Sequence, residues 1–354
     1  MRRGSTDVRE LSGRIPTPRL RRLRLAAQRL VPATAASDAH DAARATVGVQ
    51  AQDVRAAALA LRSRTPGIER SDVEGSGLVR TWTMRGTAHL IAPEDRAWLH
   101  SLTGPRNRRL YDRLLEKRGE LELARSLLGD IVETLEGGPR SRASLLEELA
   151  ARGRPALGPR AVNVAMPWAA STGLVLGLPD GRFRAADPPA PVEEDEALAT
   201  LGRRYLAGYG PAGAADLASW SGLPLSVARR ALDAAGELEA VGELRALPGT
   251  LDDEPPAAPA ALLLAPFDTS MLGYRSREPL VASADDRHVL PGGGMVRAVV
   301  LGRGAGRGTW RLEGSGRRRR LEIEWFGRPP AAAPLRAEVR DVGRFLGLEL
   351  ELAG

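Results

Sequence analysis

Residues 121–187, LELARSLLGDIVETLEGGPRSRASLLEELAARGRPALGPRAVNVAMPWAASTGLVLGLPDGRFRAAD, decide the architecture. Apolar residues recur at helical spacing through 121–136, which predicts one amphipathic helix. GGPRS then breaks the pattern, and Ser141 or Ser144 can cap a second helix over 144–151. A third helix is predicted through about 158–173, with a kink expected at Pro167. Two β-like runs follow around Pro179-Asp180-Gly181, a turn whose residues favour reversal of the chain.

The same order recurs on both sides. Downstream, helices are predicted at 193–208, 213–220 and 224–235, then a strand pair at 237–249. Upstream, helices are predicted near 37–46, 53–64 and 68–76. VRTWTMRGTAHLIA at 79–92 then alternates as a hairpin should. Three helices and a hairpin form the winged-helix plan, a variant of helix-turn-helix architecture. The competing reading is three small helical domains that merely share an element order. After 250 the character changes. Residues 252–260 read as a linker, and 295–314 as strand, Gly/Arg turn and strand. The expected organisation is a first winged-helix motif with a functional loop over 1–115, a second over 116–190 and a third over 191–250. A β-rich C-terminal region with the Arg/Gly hairpin takes 251–354. The fold class is α+β and predominantly helical.

Composition narrows the function. The chain of 354 residues has 43% hydrophobic and 27% charged residues, an ordinary globular balance. It contains no cysteine, so disulfides, thiolate metal sites and cysteine nucleophiles are excluded. His40, His89, His100 and His288 show no metal-ligand spacing, so no metal is expected. No apolar run approaches a membrane span, and MRRGSTDVRELSGR lacks the apolar stretch of a signal peptide. A cytoplasmic protein acting at the nucleoid, with no membrane partner, is expected. Lys117 is the one lysine, which leaves little scope for imine chemistry. The net charge is +7. Basic residues cluster in 1–30, 106–118 and 297–328. Such clusters fit a long polyanion, although a solvated basic surface and a GC-rich genome give the same bias.

Two of the three glutamines, Gln50 and Gln52, stand two apart in GVQAQD. On a helix they would diverge by about 200°, so they can act together only in an extended or loop segment. Gly48 interrupts the preceding helix and Asp53 can cap the next one, which favours the loop. A pair of amides cannot titrate, but it can hold and orient a water. That suffices where the leaving group is already activated, as in an N7-alkylated purine that departs neutral from an oxocarbenium-like sugar. The alternative is that both amides satisfy backbone groups at a helix junction. PGGGM at 291–295 is not a nucleotide loop, because no GxGxxG–helix unit follows, and no P-loop occurs.

GVQAQ at 48–52, RTWTMRGTAHL at 80–90, YGPAGAADLASWSGLPL at 209–225, PFDTSMLGYRSR at 266–277 and PGGGMVRAVVLGRGAGRGTWR at 291–311 carry a family resemblance. Together they resemble the bacterial winged-helix superfamily that includes the AlkZ and YcaQ DNA glycosylases. The resemblance spans nearly the whole chain in order. It implies three tandem winged-helix motifs in a C-shape, and a monofunctional glycosylase hydrolysing the N-glycosidic bond of N7-alkylated purines. Unhooking of interstrand crosslinks and a role in repair or antibiotic self-resistance are implied with it. Gln50-Ala51-Gln52 is similar to the Gln-hydrophobic-Gln motif of the AlkZ branch, which implies catalytic roles for Gln50 and Gln52.

Thr83, Arg85, Thr87 and His89 look like residues lining the same cleft, on one strand face if their alternation holds. Arg80, Arg303 and Arg307 look like DNA contacts, the last two on a hairpin entering the duplex. No cofactor is implied, and the expected partner of a monomer is double-stranded DNA carrying alkylated guanine. A non-catalytic winged-helix regulator, or a protein that sequesters a DNA-reactive drug, are the competing functions. The regulator would be indifferent to Gln50 and Gln52, and the sequestering protein would bind drug in the absence of DNA.

Overall fold

The computed structural model describes residues 8–10, 13–252 and 254–353. Arg2 and Arg3 of the first basic cluster lie outside them. Strand β1 (Val8–Glu10) and helix α1 (Thr17–Ala27) precede the first helix–hairpin unit. That unit comprises α2 (Ala39–Ala45), β2 (Val49–Gln50), α3 (Val54–Arg62), α4 (Arg70–Glu74), β3 (Val79–Trp82) and β4 (Ala88–Ile91). A long helix, α5 (Arg96–Glu116), leads to the second unit: α6 (Leu121–Glu136), α7 (Arg142–Ala151), α8 (Pro159–Ser171), β5 (Val175–Gly177) and β6 (Phe183–Ala185). The third has α9 (Glu194–Tyr209), α10 (Ala214–Ser221), α11 (Leu225–Asp233), β7 (Leu238–Val241) and β8 (Leu244–Ala246). The C-terminal region adds β9 (Leu262–Leu263), α12 (Thr269–Leu272), α13 (Asp286–Val289), β10 (Ala298–Gly302), β11 (Ala305–Glu313), β12 (Arg318–Trp325), α14 (Ala332–Leu346) and β13 (Glu349–Leu352). The architecture is α+β, and three helices followed by a hairpin occur three times.

The caps explain the boundaries. Asp38 accepts from the Asp41 amide at 2.8 Å to start α2, and Asp53 accepts from the Arg55 amide at 2.8 Å to start α3. Of the two serines that could start α7, Ser141 does so, accepting from the Ser144 amide at 3.1 Å. The units are not separate beads. Arg80 pairs with Gly177, fusing the first two hairpins into one sheet of order β2-β4-β3-β5-β6. Strand β1 joins the third hairpin in parallel, in the order β1-β7-β8. The C-terminal sheet runs β13-β12-β11-β10-β9, and α14 spans the parallel crossover from β12 to β13.

Helix α5 carries Gly104-Pro105 in its interior. A proline inside a helix removes one backbone hydrogen bond. The helix passes through it because packing outweighs the lost hydrogen bond: Trp98, Leu99, Thr103, Asn107, Tyr111 and Leu115 are buried along one side. Its basic residues Arg106, Arg109 and Arg113 face solvent. Helix α14 buries Leu335, Val339, Val342 and Phe345 against the C-terminal sheet and the first unit.

A buried polar network joins these parts. Arg64, just after α3, is fully buried and bidentate on Asp268, at 2.8 and 3.0 Å. It also donates to Thr269 Oγ1 at 2.7 Å and Gln28 Oε1 at 3.3 Å. Gln28 donates to the Tyr274 hydroxyl, which donates to the Tyr209 carbonyl, and the Tyr209 hydroxyl donates to the Thr46 carbonyl. Burial alone would raise the Asp268 pKa, but Arg64 and the Ser270 donors carry it below the usual value. Asp268→Ala is expected to destabilise the protein by about 3–5 kcal/mol, because it strands the Arg64 charge. Arg64→Met with Asp268→Leu should recover most of that loss, as read by urea unfolding of the two variants and the wild type.

Candidate active site

Gln50 ends β2, and Gln52 stands in the turn before α3. Strand β2 lies close on β4 because residue 48 is glycine. A Cβ there, at φ +91°, would come within 2.6 Å of Ile91 and 2.8 Å of the Leu90 carbonyl. This pairing puts Gln50 opposite His89. The Gln50 amide donates to Gln52 Oε1 at 2.9 Å, and Arg85 donates to Gln50 Oε1 at 3.0 Å. Because a guanidinium can only donate, it sets the amide orientations along the chain. Gln50 is buried and Gln52 is exposed. Gln52 therefore presents the second lone pair of Oε1, and its NH2 group, to the cleft. Among the described residues neither side chain bonds a backbone group, so the pair is not a helix-junction filler.

Arg85 is anchored as well. It donates to the Trp220 carbonyl at the end of α10, so the third unit holds the orienting residue of the first. Its backbone is left-handed, at φ 55°, inside a tight turn over Met84–Gly86. Two residues of α5 brace this turn. Asn107 donates to the Trp82 and Thr83 carbonyls at 3.0 and 2.8 Å, and Tyr111 donates to the Gly86 carbonyl.

Thr83, Arg85, Thr87 and His89 were expected on one strand face, and the turn corrects that. Strand β3 ends at Trp82 and β4 begins at Ala88, so the four residues surround a reversal instead of alternating along one strand. Thr83 Oγ1 and His89 Nδ1 meet at 3.2 Å, and Thr87 turns its hydroxyl to the Met84 carbonyl. His89 Nδ1 also lies 2.9 Å from the Thr87 carbonyl, which can only accept. The proton is therefore assigned to Nδ1.

A cleft of about 560 Å³ opens beside Gln52, between the first and second units. Arg80, Trp82 and Gly86 form one wall, Leu110, Tyr111 and Leu114 of α5 another, and Arg142, Asn163, Met166 and Phe183 the third. The α5 residues and Arg142 carry no local motif, and only the tertiary fold brings them to the glutamines. Arg303 and Arg307 lie elsewhere. The hairpin predicted there forms, with a two-residue turn at Arg303-Gly304. Its tip packs on α1, where a Cβ at Gly304 would come within 2.7 Å of Leu25. Arg303 is exposed, while Arg307 lies half-buried against Gly302 and Gly327. No helix among the described residues is long and apolar enough to cross a membrane.

Helix–hairpin units with an amide pair oriented beside a basic cleft define a winged-helix-like protein built to handle a polyanion. The family model described as DNA glycosylase AlkZ-like matches residues 43–345. The chain belongs to that family; it is a DNA glycosylase, with DNA as its substrate. It is 29% identical over 334 residues to the interstrand DNA cross-link repair glycosylase of Streptomyces sahachiroi, covering 82% of this chain and 86% of that protein. The fold resembles the solved structure of the Streptomyces sahachiroi DNA glycosylase AlkZ, with a TM-score of 0.71 at 21% identity, covering 96% of this chain and all of that one.

His89 carries a pH signature. Burial, and then the charge of Arg85, push its pKa down to about 3, while the Thr87 carbonyl opposes them. The folded state thus excludes a proton that the unfolded chain binds below about 6.5. Stability should be complete above that pH and fall as pH drops toward 3, by at most about 1.4 kcal/mol per pH unit from this group. Urea midpoints between pH 7 and pH 4 should decline less steeply in His89→Gln than in the wild type.

Proposed function

We propose that this protein hydrolyses the N-glycosidic bond of N7-alkylated purines in duplex DNA, including those joined in interstrand crosslinks, in repair or antibiotic self-resistance. The observation that carries this reading is the directed chain from Arg85 through Gln50 to Gln52, which leaves an acceptor on Gln52 facing the cleft. A water donating one hydrogen to Gln52 Oε1 would turn a lone pair toward C1′ of the deoxyribose. As the C1′–N9 bond breaks, its electron pair neutralises the cationic alkylpurine, which leaves as a neutral base. The water oxygen bonds to C1′ and releases its proton to solvent, giving an abasic site.

Such an activated leaving group needs little from the enzyme beyond orientation, which matches what two amides can supply. Gln50 and Gln52 are the proposed catalytic residues. Thr83, Arg85, Thr87 and His89 frame them, and Arg80, Arg303 and Arg307 are proposed DNA contacts of a monomer. The name of the Streptomyces sahachiroi relative supports the crosslink substrate. The sole lysine, Lys117, caps the end of α5 and is not among the cleft-lining residues, in keeping with hydrolysis without strand cleavage.

Base release from duplexes carrying 7-alkylguanine or an N7–N7 crosslink, scored as alkali-labile abasic sites, tests the reading. Gln52→Ala should lower single-turnover release about a hundredfold. Gln50→Ala should lower it comparably, because Gln52 then loses the donor that orients it. Duplex affinity should be unchanged in both. Tight binding by the wild type without release from either substrate would make the protein a winged-helix binder in a glycosylase frame.

A further inference from the structure

Among the described residues four arginines are buried: Arg24, Arg62, Arg64 and Arg80. Three face carboxylates. Arg24 meets Asp216 at 3.4 Å, Arg62 meets Asp341 at 2.6 Å and Glu338 at 3.0 Å, and Arg64 meets Asp268 at 2.8 Å. Arg80, 8% exposed, meets none. Among the described residues its side chain makes one hydrogen bond, a long contact to the Ala51 carbonyl at 3.5 Å, and its Nε has no partner. Asp180, whose charge reaches Arg80, is bonded to Arg182 at 2.7 Å.

The place of this guanidinium is built. Its carbon lies 5.0 Å from the Phe183 ring centre and 5.5 Å from that of Trp82. It rests on Gly177, where any Cβ would come within 2.6 Å of Nε. A second guanidinium enters the same cleft from the other unit. Arg142, the first residue of α7, is steadied by Asn163 Oδ1 at 2.8 Å and pairs with no carboxylate among the described residues. Burial and the charge of Arg142 both lower the Arg80 pKa. Arg142 is exposed and keeps its water, but a buried guanidinium without a carboxylate partner, as at Arg80, is unfavourable in a folded protein unless a ligand supplies the anion.

The ligand's chemistry follows from charge and position. A 7-alkylpurine is itself cationic and would be repelled by this pair, whereas a phosphate diester matches the guanidinium fork and its charge. The Ala51 carbonyl that Arg80 contacts lies between the two glutamines, so an anion held here lies next to Gln52. We propose that the cleft between the first and second units seats one backbone phosphate of the lesion-bearing strand, gripped by Arg80 and Arg142. This rests on the reading of the protein as a glycosylase and adds a site to it. The phosphate registers the strand so that the sugar meets the water on Gln52, and it neutralises a cleft that would otherwise oppose a developing sugar cation.

The test uses the full chain with Arg80→Met, Arg80→Lys and Arg142→Gln, and a duplex carrying one tetrahydrofuran abasic-site analogue to fix the register, read by fluorescence anisotropy across a salt series. Arg80→Met and Arg142→Gln should each weaken binding about tenfold. Each should also reduce the slope of log affinity against log salt by about 0.9. Arg80→Lys should keep the slope. Replacing single linkages with neutral methylphosphonates should reveal one position that weakens wild-type binding and leaves Arg80→Met unaffected. Without DNA, Arg80→Met should unfold at or above the wild-type temperature, because it removes an uncompensated buried charge.

An unchanged salt slope, equal effects at every linkage, a lowered unfolding temperature in Arg80→Met, or a wild type that does not bind the duplex would each overturn the proposal. So would inorganic phosphate that protects the wild type as well as DNA does, since the cleft would then take a free anion. The tetrahydrofuran site carries no base to release, so this outcome is independent of whether base release fails.

Discussion

The buried pair of Arg64 and Asp268 is the constraint on which the rest of the molecule depends. Arg64 follows the C-terminal end of α3, and Gln52 stands just before the N-terminal end of the same short helix. Through Gln28, Tyr274 and Tyr209, the pair ties α3 to α1, to the C-terminal region and to the third unit. At the other end, Asp53 caps the helix and Gly48 lets β2 press on β4. The segment carrying the glutamines is thus held at both ends. Groups that act by orientation alone need that rigidity, since an error of about 1 Å can remove most of their effect.

The tight turn at Arg85 shows why three units are needed for one site. A left-handed arginine costs on the order of 1 kcal/mol and persists only when its surroundings over-determine it. Here they do. Asn107 and Tyr111 hold the turn from α5, and the Trp220 carbonyl takes the guanidinium from the third unit. Gly222, which ends α10 in the left-handed region, leaves space for the Arg85 backbone, since a Cβ there would lie 3.0 Å from Arg85 Cα. The second unit closes the other side with Arg142 and Phe183. Each unit is a common scaffold, and the proposed chemistry lies at their junction.

What the sequence made legible is what local physics controls. The Asp53 cap, the break at Gly48 and the rarity of glutamine sufficed to place Gln50 and Gln52 side by side before α3. Hairpins announced themselves by alternation. Long-range decisions left no such mark. Nothing local says that β1 pairs with β7 across more than two hundred residues, or that one register pair, Arg80 with Gly177, fuses two hairpins. Helix α5, which bears the braces of the site, is not among the elements expected from the sequence, where 106–118 stands out only for its basic residues. Alternation through 83–89 pointed to a strand because the turn residues Arg85 and Gly86 sit inside a β-branched run. The Gly-rich arginine hairpin reads as an element able to enter a DNA groove, and the small size of Gly304 also serves close packing on α1.

Charge completes the argument for amides at this site. Arg80, Arg85 and Arg142 gather around the glutamines, and together they raise the energy of any cation formed there. On the proposed reaction the sugar becomes cationic, so the empty cleft opposes its own chemistry. A nearby carboxylate would correct this, but Arg85 donates directly to position 50, and a carboxylate there would become its ion-pair partner. It would then have no hydrogen to donate to Gln52. An amide accepts from Arg85 on one side and donates on the other, passing a fixed orientation to the residue that faces the cleft. On the proposed phosphate site, the missing negative charge arrives with the substrate, whose phosphates carry it. Catalysis would thereby be confined to the state in which DNA is bound, with the strand itself completing the electrostatics of the site.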